Sequence, residues 1–314
     1  MPLPPHRRAV QALYNAPYLL LTLTALLWAM NMVLGRYVAG QVPPVTLALL
    51  RWIVATGLLL PFAWGELRRD LPAIRRNLPI LLLLSATGIS CYNAMSYYAL
   101  QYTQAVNGLL IQSMAPLMVA LWSFMIYRER LSLGQLAGIL FSLAGVTLII
   151  SQGDLDVLLH LKPNIGDVVI IVALLIYALY ASILRERPPL GALSFLATIM
   201  GLGALLLIPF SLWEIALGKS LQLNGTTLAV MAYVSIGPSL VAYLFFNRGV
   251  ELVGANRAAP FLHLMPVFGT ALAMLILGER PQWYHFAGYV AVIAGIAMAT
   301  LAGRSRPPAE PPPT

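Results

Sequence analysis

Polar and aromatic side chains recur inside the long apolar runs of this 314-residue sequence. Asn93 and Tyr97 are four residues apart, which places them on one face of a helix. A shift of 150 residues carries this pair onto Tyr243 and Asn247, with the two residue types in swapped order. Amides hydrogen-bond polar groups, aromatic rings stack on planar groups, and polar residues inside apolar helices commonly mark a functional pathway. These four residues predict a binding site between two helices that face each other across a cavity.

Further residues of the same kinds extend this predicted site. The full set of candidate binding residues is Trp28, Asn31, Tyr92, Asn93, Tyr97, Tyr98, Gln112, Tyr177, Tyr180, Tyr243, Asn247 and His263. For Trp28, Asn31, Tyr177 and Tyr180 the alternative is core packing. For Tyr97 and Tyr98 the alternative is the belt of tyrosines found where membrane helices meet water.

Two titratable residues lie deep within apolar runs. His263 could hydrogen-bond a ligand, carry a proton, or be a neutral packed histidine. Arg51 could attract a carboxylate, but snorkelling to the lipid headgroups or a structural pairing is the favoured interpretation. No Asp or Glu reaches the centre of an apolar run. The sequence therefore leaves proton coupling and movement down a gradient open.

Helix-breaking residues stand at related places in the two halves of the chain. The candidate hinge or gating residues are Gly88, Pro116, Gly237, Pro238 and Pro266. A proline inside a helix removes one backbone hydrogen bond and kinks the helix. Such breaks predict flexible points next to a site, and static kinks are the alternative.

Several kinds of chemistry have no support in the sequence. We find no His-Glu-x-x-His, no Gly-x-Ser-x-Gly and no pair of acids within an apolar run. A single cysteine, Cys91, excludes an internal disulfide or a cysteine metal site, and we expect it to be a small packed residue. The prediction is a protein without cofactor, metal or enzymatic activity.

Composition places this chain in the membrane. Hydrophobic residues make up 60% of it, charged residues only 10%, and its mean hydropathy is +0.81. A soluble domain carries about 25% charged residues. The net charge of +8 resides in short arginine clusters between apolar runs, which argues against a nucleic-acid partner. The expected environment is the lipid bilayer.

The apolar runs predict an all-α integral membrane protein with ten transmembrane helices. The predicted spans are 17–38, 43–64, 78–100, 104–126, 133–151, 165–184, 192–213, 226–249, 254–277 and 284–303. Most arginines fall on one side of these spans, so both termini are predicted to be cytoplasmic. No targeting segment is recognised, and we expect a bacterial inner membrane.

The two halves resemble each other. A shift of 150 aligns Pro116 with Pro266 and Glu129-Arg130 with Glu279-Arg280, and a shift of 148 aligns Pro61-Phe62 with Pro209-Phe210. Each copy holds five spans, so the second copy enters the membrane inverted. The predicted organisation is a cytoplasmic tail (1–16), a first five-helix repeat (17–151), an external connector (152–164), a second, inverted repeat (165–303) and a disordered cytoplasmic tail (304–314). Inverted repeats are typical of alternating-access carriers, and internal duplication is consistent with a monomer.

These features resemble the drug/metabolite transporter superfamily, and within it the ten-span EamA type. The residues that carry the resemblance are Trp28, Asn31 and Arg36 near the start, then Pro116, Glu129, Gly138 and Gly145, and in the second half Pro266, Glu279, Gly288 and Gly295. Ala29 departs from the glycine usual after the tryptophan. The resemblance implies a secondary transporter of small molecules, with export of aromatic or other hydrophobic amino acids the favoured interpretation. Efflux of drugs or lipophilic compounds, a channel and an intramembrane protein without transport activity are the alternatives.

Overall fold

The computed structural model describes residues 13–103, 108, 111–151, 153–154, 156, 160, 164–277 and 282–304. Every regular element within these residues is helical. Residues 305–314 of the predicted tail 304–314, most of tail 1–16, most of connector 152–164, and Glu279 and Arg280 lie outside the described residues, whereas Arg304 ends a helix.

The helices follow one another with short connections. They are α1 (Pro17–Tyr37), α2 (Pro44–Arg76), α3 (Leu78–Ala99), α4 (Ala115–Tyr127), α5 (Leu133–Ile150), α6 (Ile165–Ile183), α7 (Ala192–Ala216), α8 (Gly225–Val253), α9 (Ala255–Ala258, 3₁₀-helical Ala259–His263 and Leu264–Leu277) and α10 (Trp283–Arg304). In the described part of the chain, seven helices are long and apolar enough to cross a bilayer, judged by length and composition, namely α1, α2, α3, α6, α7, α8 and α10. Ala115–Tyr127 and Leu133–Ile149 are shorter apolar helices. The predicted all-helical fold is therefore confirmed for the residues that the structure describes.

Helix α2 is longer than predicted. The expected span ended at residue 64, whereas the helix continues to Arg76. The added segment contains Glu66, Leu67, Arg68 and Arg69, and these residue types have high helix propensity. The predicted boundary at residue 64 followed hydropathy, which marks where apolar residues end and not where the helix ends.

The helices pack as antiparallel pairs. In the α2–α7 pair, the start of α2 contacts the end of α7 through Thr46 and Glu214, whose backbone N–H and carboxylate lie 2.8 Å apart. Helix α1 runs against α8, where Thr24 Oγ1 donates to Ala242 O at 3.3 Å. Helix α3 runs against α6, and a Cβ at Gly166 would lie 2.6 Å from Ala99 O. These pairings leave broad apolar faces on the outside of the bundle.

Glycines set the closest helix contact, between α5 and α10. A Cβ at Gly138 would lie 2.6 Å from Gly295 O, and one at Gly145 would lie 2.8 Å from Gly288 O. Small residues let two membrane helices approach until their backbones touch. The glycines that carry the family resemblance are thus positions where a side chain would separate this pair.

Two helices change their winding at the predicted breaks. Residues Ser85–Cys91 of α3 and Ser235–Val241 of α8 are π-helical. Gly88 lies in the first of these segments, and Gly237 and Pro238 lie in the second. Single π-helical turns inside α-helices are frequent at functional sites. The structure places a backbone irregularity at each position, and the predicted hinge motion stays a prediction.

The other two predicted gating prolines each follow a break. Pro116 stands in the first turn of α4, directly after a turn at Ser113 and Met114. Pro266 lies near the start of the α-helical part of α9, after the 3₁₀ segment that ends at His263. Residues 104–107, in the predicted fourth span, lie outside the described residues.

Cys91 does not occupy the packed position expected of it. Its thiol is exposed on α3, at the end of the π-helical segment. The prediction followed from the apolar run around it, but an apolar helix in a membrane protein has a lipid-facing side as well as a packed side.

Candidate functional site

Six aromatic rings from four helices form one cluster in the interior, called here the aromatic cluster. It comprises Trp28 of α1, Tyr92 of α3, Tyr177 and Tyr180 of α6, and Tyr243 and Phe246 of α8. Tyr177 lies centrally, with ring centroids 4.6 Å from Tyr92, 5.6 Å from Tyr180 and 5.8 Å from Phe246. Five of the six had been predicted as site residues, and Phe246 had not.

Amide side chains tie this cluster together. Gln112 donates to the Tyr92 hydroxyl at 2.9 Å, and the Tyr180 hydroxyl donates to Asn247 Oδ1 at 2.6 Å. Asn93 Nδ2 lies 3.4 Å from the Tyr243 hydroxyl, so the predicted meeting of α3 and α8 is present. Contrary to the prediction, they touch directly rather than across a cavity, because aromatic side chains fill the space between them.

The two π-helical segments are coupled to the cluster through their carbonyl groups. Trp28 Nε1 donates to Pro238 O at 3.0 Å, and the Tyr243 hydroxyl donates to Gly88 O. The Tyr180 ring lies against Gly88, where an added Cβ would lie within 2.6 Å of three ring atoms. A π-helical turn displaces a carbonyl from its usual helical partner, and the aromatic donors here supply a replacement.

Arg51 forms a second group, beside the cluster. Its guanidinium donates to Ser239 Oγ at 2.7 Å, Asn93 Oδ1 at 3.0 Å and the Tyr97 hydroxyl at 2.7 Å. Tyr97 in turn donates to Asn31 Oδ1 at 2.8 Å. Arg51 is only 1% exposed, so the snorkelling interpretation was wrong. Tyr97 is buried in this group.

Two predicted site residues lie apart from both groups. Tyr98 is half-buried and faces Tyr102, with ring centroids 5.1 Å apart. His263 is fully buried, and its two ring nitrogens contact Ser142 Oγ and the Ser113 carbonyl, the latter at 2.6 Å. His263 therefore joins α9 to α5 and to the turn before α4, at a distance from the aromatic cluster.

A cavity of about 760 Å³ opens at one end of the bundle. It lies between the last turns of α4, α6 and α8 and the first turns of α5 and α9, and Asn247 belongs to its lining. Asn247 and Tyr180 therefore stand between the cavity and the aromatic cluster. Ligand sites commonly have volumes of about 300–1,000 Å³, so the cavity is of a size suited to a small molecule.

Charged side chains surround the cavity. Its lining includes five arginines and two glutamates, namely Arg128, Arg130, Arg185, Arg187, Arg257, Glu129 and Glu251. Glu129 accepts from Arg185 Nη1 at 2.5 Å, and Glu251 accepts from Arg187 Nη2 at 2.9 Å. The excess of arginine makes this entrance electropositive.

The described residues contain no group of three or more His, Cys, Asp or Glu side chains suited to hold a metal ion. What the site offers is hydrogen bonding, ring stacking and positive charge. Sequence reasoning missed Phe246, and it considered a structural pairing of Arg51 without identifying the partners. Phe246 directly precedes Asn247, and its position on the helix could have been worked out from the sequence. The partners of Arg51 come from other helices, which the sequence of one segment does not reveal.

The EamA-like transporter family matches this chain twice, over residues 15–151 and again over 164–301. The chain belongs to this family. Both matched segments contain helices that build the aromatic cluster, so the cluster lies between the two family units. As an EamA-like transporter, the protein is an integral membrane protein that moves a small molecule across the bilayer.

Relatives agree with this assignment along nearly the whole length. An uncharacterized transporter of Archaeoglobus fulgidus is 30% identical, covering 90% of this chain and 96% of its own. The Bacillus subtilis uncharacterized transporter YyaM is 29% identical, covering 85% and 88%. One crystal structure superimposes with a TM-score of 0.75 at 21% identity, covering 92% of this chain and 99% of that one, which shows a shared fold.

Proposed function

We propose that this protein is a secondary transporter that exports aromatic or other hydrophobic amino acids by alternating access. The observation that carries the proposal is the position of Tyr177. Its side chain is 2% exposed, lies at the centre of the aromatic cluster, and its hydroxyl has no hydrogen-bond partner among the described residues. Buried hydroxyls are normally bonded, so an unbonded one among stacked rings suits a planar ligand that carries a polar group.

The transport route runs from the cavity to this cluster. Tyr177 lies one helical turn from Ala181, and Ala181 lines the cavity. The Tyr180–Asn247 hydrogen bond separates the two spaces in the present conformation. A substrate from the cavity reaches the rings once this bond opens, and polar groups of the substrate then bond Tyr180 and Asn247 in place of each other.

Alternating access requires two structural units that exchange conformations. The helix packing supports ten membrane-crossing helices arranged as two inverted repeats. The π-helical segments Ser85–Cys91 and Ser235–Val241 are 150 residues apart, the same shift that relates the halves of the sequence. Helix α1 packs on α8, and α6 packs on α3. If α6 corresponds to α1 and α3 to α8, exchanging the two five-helix units turns one of these helix pairs into the other. Because the paired helices are antiparallel, the exchange axis lies in the membrane plane.

The direction of export follows from the cavity's surroundings. Arginines favour the cytoplasmic side of short loops, so the electropositive entrance is proposed to be cytoplasmic, as are both termini. A substrate carboxylate is attracted to such an entrance. The proposed location is the inner membrane, and a monomer contains both units that the mechanism needs.

Counterflow in liposomes tests this function. Vesicles with reconstituted protein are loaded with unlabelled tryptophan, and labelled tryptophan is added outside. We expect transient accumulation of label in wild-type vesicles, and Asn247→Ala and Tyr180→Phe to lower the initial rate by about tenfold, as the loss of one ligand-facing hydrogen bond predicts. Tyr37→Phe is the matched control, because Tyr37 is 63% exposed at the end of α1.

Each result has a defined meaning. Accumulation that survives Asn247→Ala and Tyr180→Phe would contradict the proposed route. Failure of the folded wild-type protein to accumulate any amino acid would contradict the substrate class, and accumulation of lipophilic cations instead would indicate drug efflux. Flux of label without counterflow would indicate a channel.

A further inference from the structure

Arg51 carries a buried charge for which the described residues provide no counterion. The side chain is 1% exposed and lies about eight residues inside α2. In the part of the chain that the structure describes, no carboxylate forms an ion pair with it. Its hydrogen-bond partners are the neutral oxygens of Ser239, Asn93 and Tyr97.

A buried cation of this kind is unusual. Ionisable residues inside membranes are rare, normally pair with one another, and mark the path of a substrate or ion. The neutral oxygens around Arg51 replace part of its lost hydration but none of the missing negative charge. The site is thus electrostatically suited to an anion.

The fold itself does not require a charge at this position. Glu66 and Glu214 occupy matching places in α2 and α7, and the same shift of 148 residues carries Arg51 onto Ile199. Ile199 is fully buried in α7. One repeat therefore packs an aliphatic side chain where the other packs a guanidinium, which argues that Arg51 serves the ligand rather than the scaffold.

Hydrogen-bond donors remain at the same place. Within the described residues, the bonds of Arg51 engage Nε and Nη1 but not Nη2. The neighbouring Trp52 ring lies 4.6 Å from the guanidinium carbon and is fully buried, and its Nε1 has no acceptor among the residues that the structure describes. A guanidinium edge with a second nearby donor matches the two oxygens of a carboxylate.

The Arg51 group is also continuous with the aromatic cluster. Asn93 accepts from Arg51 and donates toward the Tyr243 hydroxyl, and the Trp52 ring lies edge-on to Tyr243 with centroids 5.2 Å apart. Because Arg51 is sealed from the outer face of the bundle, a lipid headgroup does not reach it. A ligand in the aromatic cluster does reach it, once Asn93 and Tyr97 release the guanidinium.

We infer that Arg51 is the specificity residue for the substrate carboxylate, with Trp52 as a second donor. The inference rests on the proposed transport function and deepens it. A ring held in the aromatic cluster and a carboxylate held at Arg51 together define the substrate as an aromatic or hydrophobic carboxylate, and exclude the corresponding amine or amide.

Competition binding on the purified full-length protein tests this. Labelled tryptophan is bound to the wild type and displaced by unlabelled tryptophan or by tryptophanamide, which keeps the ring and the amine but lacks the carboxylate. We expect the amide to compete about tenfold or more weakly with the wild type, as the loss of charge-assisted hydrogen bonds predicts. In Arg51→Gln the affinities for tryptophan and for its amide should come within about twofold of each other. Arg51→Lys should keep part of the wild-type difference.

The matched control is Arg36→Gln, because Arg36 is exposed near the end of α1 and donates to Leu100 O. Its preference for tryptophan over the amide should equal that of the wild type. A wild type that binds tryptophan and its amide equally overturns the inference, even if Arg51→Gln does not fold. A folded Arg51→Gln protein that keeps the wild-type preference for tryptophan over its amide also overturns the inference. In either case, counterflow of tryptophan would leave the proposed transport function standing. A wild type that neither binds nor transports amino acids overturns both.

Discussion

Glu66 and Glu214 lie at opposite ends of the α2–α7 pair, and each accepts hydrogen bonds from the first turn of the other's helix. Glu66 Oε2 lies 3.1 Å from the backbone nitrogens of Leu193 and Ser194 in α7. Glu214 Oε2 lies 2.8 Å from the backbone nitrogen of Thr46 in α2. A carboxylate satisfies amides that a helix start leaves unbonded and interacts favourably with the helix dipole. Hydrogen bonds from these carboxylates thus stabilise the α2–α7 pair at both ends.

The first prediction concerns these carboxylates. Glu214→Gln should lower the free energy of unfolding by about 1–2 kcal/mol, because it weakens a buried charged cap. Glu66→Gln should have a smaller effect, since Glu66 is half-buried. Unfolding of the detergent-solubilised protein is the measurement. Glu186→Gln is the control, because Glu186 is exposed and its ion pair with Arg185 is 3.9 Å long; an equal effect there would contradict the proposed importance of the caps.

The second prediction concerns the α5–α10 contact. Gly138→Ala should lower the free energy of unfolding by about 1–3 kcal/mol, because the new Cβ would lie 2.5 Å from the backbone nitrogen of Ala299. Backbone cannot move aside as a flexible side chain does, so the two helices must separate. Thermal unfolding of Gly138→Ala and of the wild type measures this loss of stability.

The control for Gly138→Ala is a substitution at another helical glycine. Gly57→Ala in α2 introduces a Cβ with no atom within 4 Å. It should leave stability unchanged or raise it by about 0.5–1 kcal/mol, because alanine favours helix more than glycine does. Equal destabilisation by both substitutions would show that the contact is not the cause.

The third prediction separates function from folding at Gly88. Gly88→Ala should reduce tryptophan counterflow by about tenfold or more, because the Tyr180 ring must move and its hydrogen bond to Asn247 is lost. Gly201→Ala in α7 is the control, since its Cβ would meet Thr56 Cγ2 at 3.7 Å, an ordinary contact. Transport at the wild-type rate in a folded Gly88→Ala protein would contradict the assignment of Tyr180 to the route.

Side-chain partners set the limit of sequence reasoning at this site. Five rings of the aromatic cluster were recognised because tyrosine and tryptophan inside apolar runs are conspicuous. For Arg51 the sequence left snorkelling and a structural pairing open, and only the approach of Asn93, Tyr97 and Ser239 from two other helices accounts for its burial. His263 shows the same limit, since both of its partners come from outside α9.

The sequence by itself determined the class of this protein: the apolar runs, the arginine clusters and the repeated motifs suffice for an all-helical membrane transporter of the EamA-like family. These properties are local, because hydropathy and helix-breaking residues act within one segment. Tertiary structure alone decided which polar groups meet. Residues as far apart as Arg51 and Ser239, or Trp28 and Pro238, become partners through helix packing, and single-segment patterns carry no record of such contacts.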